Sequence, residues 1–294
     1  GDVMAWTNTV LVFVACAVFA TAELPSHIKR QETFLRTLPP RQRAFARKAY
    51  PGTLTSMIPL PLDRTINPIG YGADPTGRND SSSAFIKAVD ALTALCEGSA
   101  VRDCGGAVLD LAGGEFALSS PVVVPQGYAN YAIARGSLIA LPNFAPADAP
   151  LLHVGAGCTP KGHSGVASCS NDVTIEQLAV DARHFAGGGI LVEDTMYANV
   201  GPGLLVQGFH DYGVSFPGSG GSMLHQSWIG QYSWTESSLR SNATATGVAM
   251  DGPHQHDCYV TDVIVFSARV GVAMANGANQ ISGVCLSPPC PTTT

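Results

Sequence analysis

Charge is what this sequence has least of. Lys+Arg number 16 and Asp+Glu 22 in 294 residues, 13% of the chain, against a usual share of about 25%. Scarce charge beside 46% hydrophobic residues excludes an intrinsically disordered chain, which needs the opposite balance. A net charge of −6 excludes the basic footprint of a nucleic-acid binder. No Gly-X-Y period accompanies the 32 glycines, so collagen is excluded. No C-x-x-C pair occurs, which removes the common zinc-site spacing. Lysine is nearly missing from the body of the chain, where only Lys87 and Lys161 follow residue 64.

What is abundant is turn chemistry. With 32 Gly and 20 Pro among many apolar residues, the composition fits an all-β protein with tight turns and a large core. The charge is unevenly placed. Residues 23–64 hold eight bases against three acids, whereas residues 65–294 hold eight against 18. A basic front segment therefore precedes an acidic body. That segment reads either as a solvated helix face or as an electrostatically docked pro-segment.

The longest apolar run, from Thr9 to Ala20, ends in Ala20-Thr21-Ala22 before Glu23. A short apolar stretch closing on A-x-A predicts a secretory signal peptide over 1–22, with Met4 as a candidate start. It is too short to span a bilayer comfortably. The mature protein is expected to be secreted, monomeric and free of membrane. Export permits disulfides, and three close pairs are candidates: Cys96 with Cys104, Cys158 with Cys169, and Cys285 with Cys290. Cys258 is left over, as a buried thiol or as the partner of a cysteine absent from this chain. The sequon Asn242-Ala243-Thr244 is a candidate glycosylation site; Asn79-Asp80-Ser81 sits at a helix start and suits modification less well.

The predicted organisation is a basic helical segment and linker over 23–62, then one β-domain over 63–286 and an irregular tail over 287–294. Residues 66–71 read as a strand and 74–77 as a turn. Asp80 or Ser81 then caps a helix whose apolar face holds Phe85, Ile86, Val89, Leu92 and Leu95. From Val173 onward the chain repeats. A glycine followed by apolar residues recurs at Gly189, Gly213, Gly247 and Gly271. Each is preceded by another apolar run, and an extra ten or so residues fall near 233–246. A unit of about 24 residues with two short strands and a corner glycine predicts a parallel β-helix, its coils roughly 4.8 Å apart. The helix at 81–96 is expected to plug the first coil.

The stretch INPIGYGADPTGRNDSSSAFIKAVDAL resembles the opening of pectate-lyase-superfamily β-helices. Further phrases, GGGILVED, GLLVQGFHDYGVSF and VTDVIVFSARVGVAMANGANQISGV, are similar to the plant pollen-tetrad-separation polygalacturonase-like proteins. The resemblance covers roughly residues 65–285. It implies a right-handed parallel β-helix (pectin-lyase-like) with an N-terminal capping helix, cut short at the C-terminus. It also implies glycoside hydrolase family 28-like action on pectic polysaccharide, the galacturonan of cell walls.

Glycoside hydrolysis requires two carboxyl groups, separated by about 6.5–9.5 Å in inverting enzymes. The N-T-D, D-D, G-H-G and R-x-K patterns that the resemblance implies are not intact here. The nearest echo is His210-Asp211-Tyr212-Gly213, with Asp211 one residue out of register. Asp211 is the first catalytic candidate, and Asp251 and Asp181, each closing an apolar strand, are the others. Arg269 could hold a galacturonate carboxylate through its guanidinium fork, or close an ion pair with Asp262. His210 and His256 are candidate substrate ligands. The cluster from His254 to Cys258 lacks zinc spacing, so no metal and no cofactor is expected. A carbohydrate-binding β-helix without catalysis and a pectate-lyase-type polysaccharide lyase are the alternatives.

Overall fold

The computed structural model describes residues 64–98, 101–157, 169–230, 245–252, 255–274 and 278–287. The chain divides into two units, Gly1–Leu60 and Pro61–Thr294. The first unit, with the expected signal peptide and basic segment, lies outside the described residues, as do Cys158, Asn242, His254 and Cys290.

The second unit begins with β1 (Thr65–Ile66), a 3-10 turn over Pro68–Tyr71 and β2 (Thr76–Asp80). The expected strand over 66–71 is therefore broken after Ile66. Pro68 fixes φ at the first turn position, and Asn67 Oδ1 accepts from Ile69 N at 2.9 Å. Helix α1 (Ser82–Ala94) follows.

Coil 2 then holds β3 (Arg102–Asp110), β4 (Glu115–Leu118) and β5 (Val122–Pro125). Coil 3 holds β6 (Tyr128–Ala140) and β7 (Pro150–Ala156). Coil 4 holds β8 (Asn171–Asp181) and β9 (Gly188–Val192). Coil 5 holds β10 (Asn199–Val200), β11 (Leu204–Gln207) and β12 (Tyr212–Ser215). Coil 6 holds β13 (Met223–Gly230) and β14 (Thr246–Met250), and coil 7 holds β15 (Tyr259–Phe266) and β16 (Val270–Met274). Coil 8 holds β17 (Gln280–Ser282) and β18 (Cys285–Ser287).

Corresponding strands of successive coils pair in parallel. They build a large sheet of 12 strands and a small sheet of six, β5, β7, β9, β12, β14 and β16. The molecule is a right-handed parallel β-helix, the hand that parallel crossovers adopt.

Register places like on like. Ile66, Leu109, Ile133, Ile175, Val200, Leu224 and Val260 form one aliphatic column. Phe116, Leu138, Val180, Val206, Ile229 and Val265 form a second. On the small sheet, Val122, Leu152, Ile190, Val214 and Val248 form a third. All of these side chains are buried. One-residue slippage would turn every column out to solvent, so the register is strongly specified.

The four repeating glycines are not corner residues. Gly189, Gly213, Gly247 and Gly271 lie inside β9, β12, β14 and β16. Each faces the second column one coil further on. A Cβ at Gly189, Gly213 or Gly247 would collide with Val206, Ile229 or Val265, and one at Gly271 would lie 2.6 Å from Leu286 Cδ2. The corners are made instead by left-handed residues stacked in register. Arg135 (φ 63°), Gln177 (51°), Gln226 (45°) and Asp262 (54°) bend the long strands midway. Strand β11 has Gly203 at that level, with φ 78°.

Helix α1 closes the first coil with Phe85, Val89 and Leu92 buried. Phe85 meets Phe116 edge-on at 5.2 Å. Ile86, expected on this face, is exposed instead, because the plug needs only one stripe of the helix. The N-terminus is held by Asp80, whose Oδ1 accepts from Ser82 N at 3.0 Å and Ser119 N at 3.1 Å. Burial opposes ionisation of Asp80, yet hydrogen bonds from Ser119 and Ser82 hold its carboxyl below the usual range. Ser81, the formal cap, makes no capping bond with its side chain.

The disulfide Cys96–Cys104 ties the end of α1 to β3, a loop closure worth roughly 2–3 kcal/mol. Cys169 is also disulfide-bonded. Cys285 is a free, exposed thiol, so the expected bridge to Cys290 is not formed. Cys258 is a buried thiol donating to Ser219 O.

Gly213→Ala should overpack the interior where Ile229 already fills the space. A loss of about 1–3 kcal/mol is expected, read as a lower denaturation midpoint at unchanged slope. A variant as stable as the parent would disprove the glycine–aliphatic fit.

Candidate functional site

Two corners flank the small sheet. The leading corner carries the chain out of the large sheet through residues 141–149, 182–187, 208–211 and 267–269. Residues 231–244, between β13 and β14 in the chain, lie outside the described residues. The trailing corner returns the chain to the large sheet. Corner backbone is released from the aliphatic columns, so polar side chains collect there.

Three of the expected site residues share the leading corner with Arg269. Asp181 ends β8 opposite Gln207 of coil 5, His210 and Asp211 precede β12, and Arg269 stands at coil 7. Asp251 and His256 do not join them. Asp211 O accepts from Thr246 N, while Asp251 lies beyond the far end of β14. Five extended residues separate those levels, roughly 16 Å. This exceeds the spacing of a hydrolytic carboxyl pair, so Asp251 is not the second carboxyl beside Asp211. His256 belongs to the trailing corner, where its Nδ1 lies 3.0 Å from Asp257 Oδ2. Arg269 is exposed and forms no ion pair with Asp262 among the described residues.

Asp211 has a closer candidate partner, which the sequence did not single out. Gly187 stands between the two. It leaves no room for a side chain: a Cβ there would strike the backbone carbonyl of Asp148 and sit 2.8 Å from Asp211 Oδ2. The backbone is laddered through the same point, with Gly187 N donating to Ala149 O and Asp211 N to Gly187 O. Asp148 and Asp211 thus belong to coils 3 and 5 across one glycine. Two coil spacings amount to roughly 10 Å, close to the inverting range.

Tyr212 opens β12 directly after Asp211. Its ring covers Gly188, where a Cβ would meet the phenol oxygen at 2.9 Å. Burial pushes the Tyr212 hydroxyl up, and the charges of Asp211, Glu193 and Asp148 push it further the same way. At neutral pH the phenol is a hydrogen-bond donor facing carboxylates. Glu193 is held by His153, Nε2 to Oε2 at 2.9 Å. His210 reaches two acceptors, Ala147 O at 3.0 Å through Nε2 and Asp211 Oδ1 at 3.2 Å through Nδ1.

Asp181 is the more sheltered acid. Burial raises its carboxyl above the usual range, although bonds from Arg183 N and Gln207 and the nearby charges of Arg183 and His184 oppose this. Arg183 Nε is 3.8 Å from Asp181 Oδ2, too far for a hydrogen bond. Gly208, at φ 69°, makes room for this carboxyl, since a Cβ there would lie 2.9 Å from Asp181 Oδ1. Among the described residues, no group of three or more His, Cys, Asp or Glu is placed to hold a metal ion.

The sign of the Asp181 effect follows from linkage. A carboxyl raised in the folded state adds stability fully below its unfolded pKa, and that contribution is lost as pH rises through the folded value. Asp181→Asn should therefore melt at a higher temperature than the parent at pH 7, with the difference vanishing below about pH 4. Melting curves across that range check this, and a lower melting temperature at pH 7 would refute it.

No family model matches the chain. It is 30% identical over 241 residues to the polygalacturonase QRT3 of Arabidopsis thaliana, covering 80% of this chain and 47% of that protein. The chain thus spans about half the length of the curated relative it matches. Among solved structures, Geobacillus virus E2 ORF18 superposes with a TM-score of 0.59 at 11% identity, over 87% of this chain and 47% of that one. A tailspike protein of E. coli bacteriophage HK620, solved with a pentasaccharide, gives 0.53 at 13% identity, over 79% and 48%. These two structural likenesses concern the fold alone. Repeat and register make the chain a parallel β-helix, and its sequence is similar to that of a polygalacturonase.

Proposed function

We infer that the protein is a secreted glycoside hydrolase acting on the galacturonan of cell walls. The observation that supports this reading is that the Asp148 backbone and the Asp211 carboxyl both border Gly187, two coils apart, with the charges of both acids acting on the Tyr212 phenol. One carboxyl would protonate the leaving oxygen and the other would activate water, as inversion requires. Asp211, with an imidazole at 3.2 Å, suits the base. Asp181, its carboxyl raised by burial, is a further acid on the same corner. Arg269, two coils beyond Asp211, would bind a substrate carboxylate, and His210 a hydroxyl. The similarity to a polygalacturonase supports a pectic substrate. The disulfides support an oxidising compartment such as the cell wall.

A second reading, a carbohydrate-binding β-helix without catalysis, is favoured by the broken N-T-D, D-D, G-H-G and R-x-K patterns. Incubation with polygalacturonic acid separates the readings. New reducing ends without an unsaturated product mean hydrolysis, unsaturated ends mean a lyase, and binding without products means the second reading. For the hydrolase, Asp211→Asn and Asp148→Asn should each lower kcat by about 10²–10⁴-fold, with Asp251→Asn unchanged. Full hydrolysis by Asp211→Asn would remove Asp211 from the mechanism.

A further inference from the structure

The outward face of the large sheet, in its first half before the left-handed bend, carries side chains that no part of the proposed chemistry uses. Two successive coils each present one large apolar group there, and a third group stands at the bend that leads onto the face. Tyr197 of coil 5 is 62% exposed, Met223 of coil 6 is 38% exposed and Tyr259 of coil 7 is 38% exposed. Met223 and Tyr259 are register partners, and Met223 also pairs with Asn199. The ring of Tyr197 extends over Gly221 of the next coil, where a Cβ would lie 2.9 Å from it.

Two residues along the chain from each apolar group stands a polar one: Asn199, His225 and Thr261. They are pre-ordered. His225 Nε2 is 3.0 Å from Asn199 Oδ1, and Thr261 Oγ1 accepts from Ser282 Oγ at 3.1 Å.

Charge decides which ligand fits. These rows hold no lysine or arginine, and Asp172, Asp257 and Asp262 stand at the two bends that border them. A polyuronate laid here would meet three carboxylates and neither lysine nor arginine. A neutral glycan would set the C–H faces of its rings against the tyrosines and its hydroxyls against the amide, imidazole and hydroxyl groups. Met223 and Tyr259 stand one coil spacing of roughly 4.8 Å apart, with Tyr197 offset by two residues toward the bend, so a chain laid along the axis meets an apolar group on each of the three coils.

We propose that this face, with Tyr197, Met223 and Tyr259 as stacking groups, is a binding site for an uncharged polysaccharide chain running along the solenoid axis. It lies on a different sheet from the acids around Tyr212 and stands whether or not those acids are catalytic. In a wall polymer network it would anchor the protein on a neutral glycan while the small sheet remained free.

The test is calorimetric titration of the full chain with hexamers of β-1,4-linked glucose, xylose and galactose, and with the galacturonic acid hexamer as the charged control. At least one neutral hexamer should bind, with an affinity unchanged at 0.5 M salt because no ion pair is involved. The double variant Tyr197→Ala/Tyr259→Ala should weaken that binding at least about tenfold at an unchanged melting temperature. Tyr197→Phe/Tyr259→Phe, which keeps the rings, should retain most of it. Failure of every neutral hexamer to bind, or equal binding by the alanine variant, would overturn the proposal. So would loss of galacturonic acid binding alone in that variant. Self-association of the parent that the alanine variant abolishes would instead make the face a protein contact, and would equally overturn the proposal.

Discussion

Stacking of aliphatic side chains in register is the constraint on which the rest of this structure depends. Each coil contributes a few interior residues to columns running the length of the solenoid, and no coil can bury them alone. Val214 is covered because Ile190 lies on one side and Val248 on the other. The same requirement explains the recurring glycines. The second column leans one coil forward into the small sheet, and only a residue without a Cβ leaves space for Val206, Ile229 and Val265. Interior volume therefore sets both the aliphatic and the glycine periods.

The same constraint releases the corners. Between columns the backbone turns through left-handed residues, several of them not glycine, and their side chains point to solvent or to one another. At the leading corner this gathers Asp148, Asp181, His210, Asp211 and Arg269 from coils 3, 4, 5 and 7. Carboxyl groups far apart in sequence come to lie one or two coil spacings apart. The acidity of the body, 18 acids after residue 64, is thereby concentrated where it meets solvent. The outward face of the large sheet shows the opposite balance, with aromatic and neutral polar rows bordered by isolated aspartates. Two surfaces of different electrostatic character arise from one repeating backbone.

Much of the fold was legible because the interior repeats. Gly189, Gly213, Gly247 and Gly271, with the apolar residues after them, reported the coil directly, and Phe85, Val89 and Leu92 reported the capping stripe. Ile86 was misplaced because helical periodicity does not say how wide a stripe the plug buries. Cys96 and Cys104 were readable as neighbours, whereas Cys285 lies on a strand that aligns it with Ile264. The site was legible only in part. Asp211 was visible through its HDYG setting, but its spatial neighbour Asp148 lies 63 positions upstream in an Ala/Pro loop with no motif around it. Its only sequence signal is its place just before a small-sheet strand, the place Asp211 itself occupies. Asp251 looked equivalent because it also borders such a strand, yet it borders the opposite end.

The sequence by itself determined the solenoid: a short repeat of apolar runs and glycines can bury its surface only by stacking coil on coil, so composition and period suffice. It also determined the acidic, lysine-poor character of the body. Tertiary structure alone decided which acids meet. A contact across coils depends on how many residues each corner consumes and where each left-handed bend falls, and neither leaves a periodic trace. Asp211 was thus drawn toward Asp148 and away from Asp251 by register and corner length, because strand ends a few residues apart in the chain lie on opposite edges of the sheet.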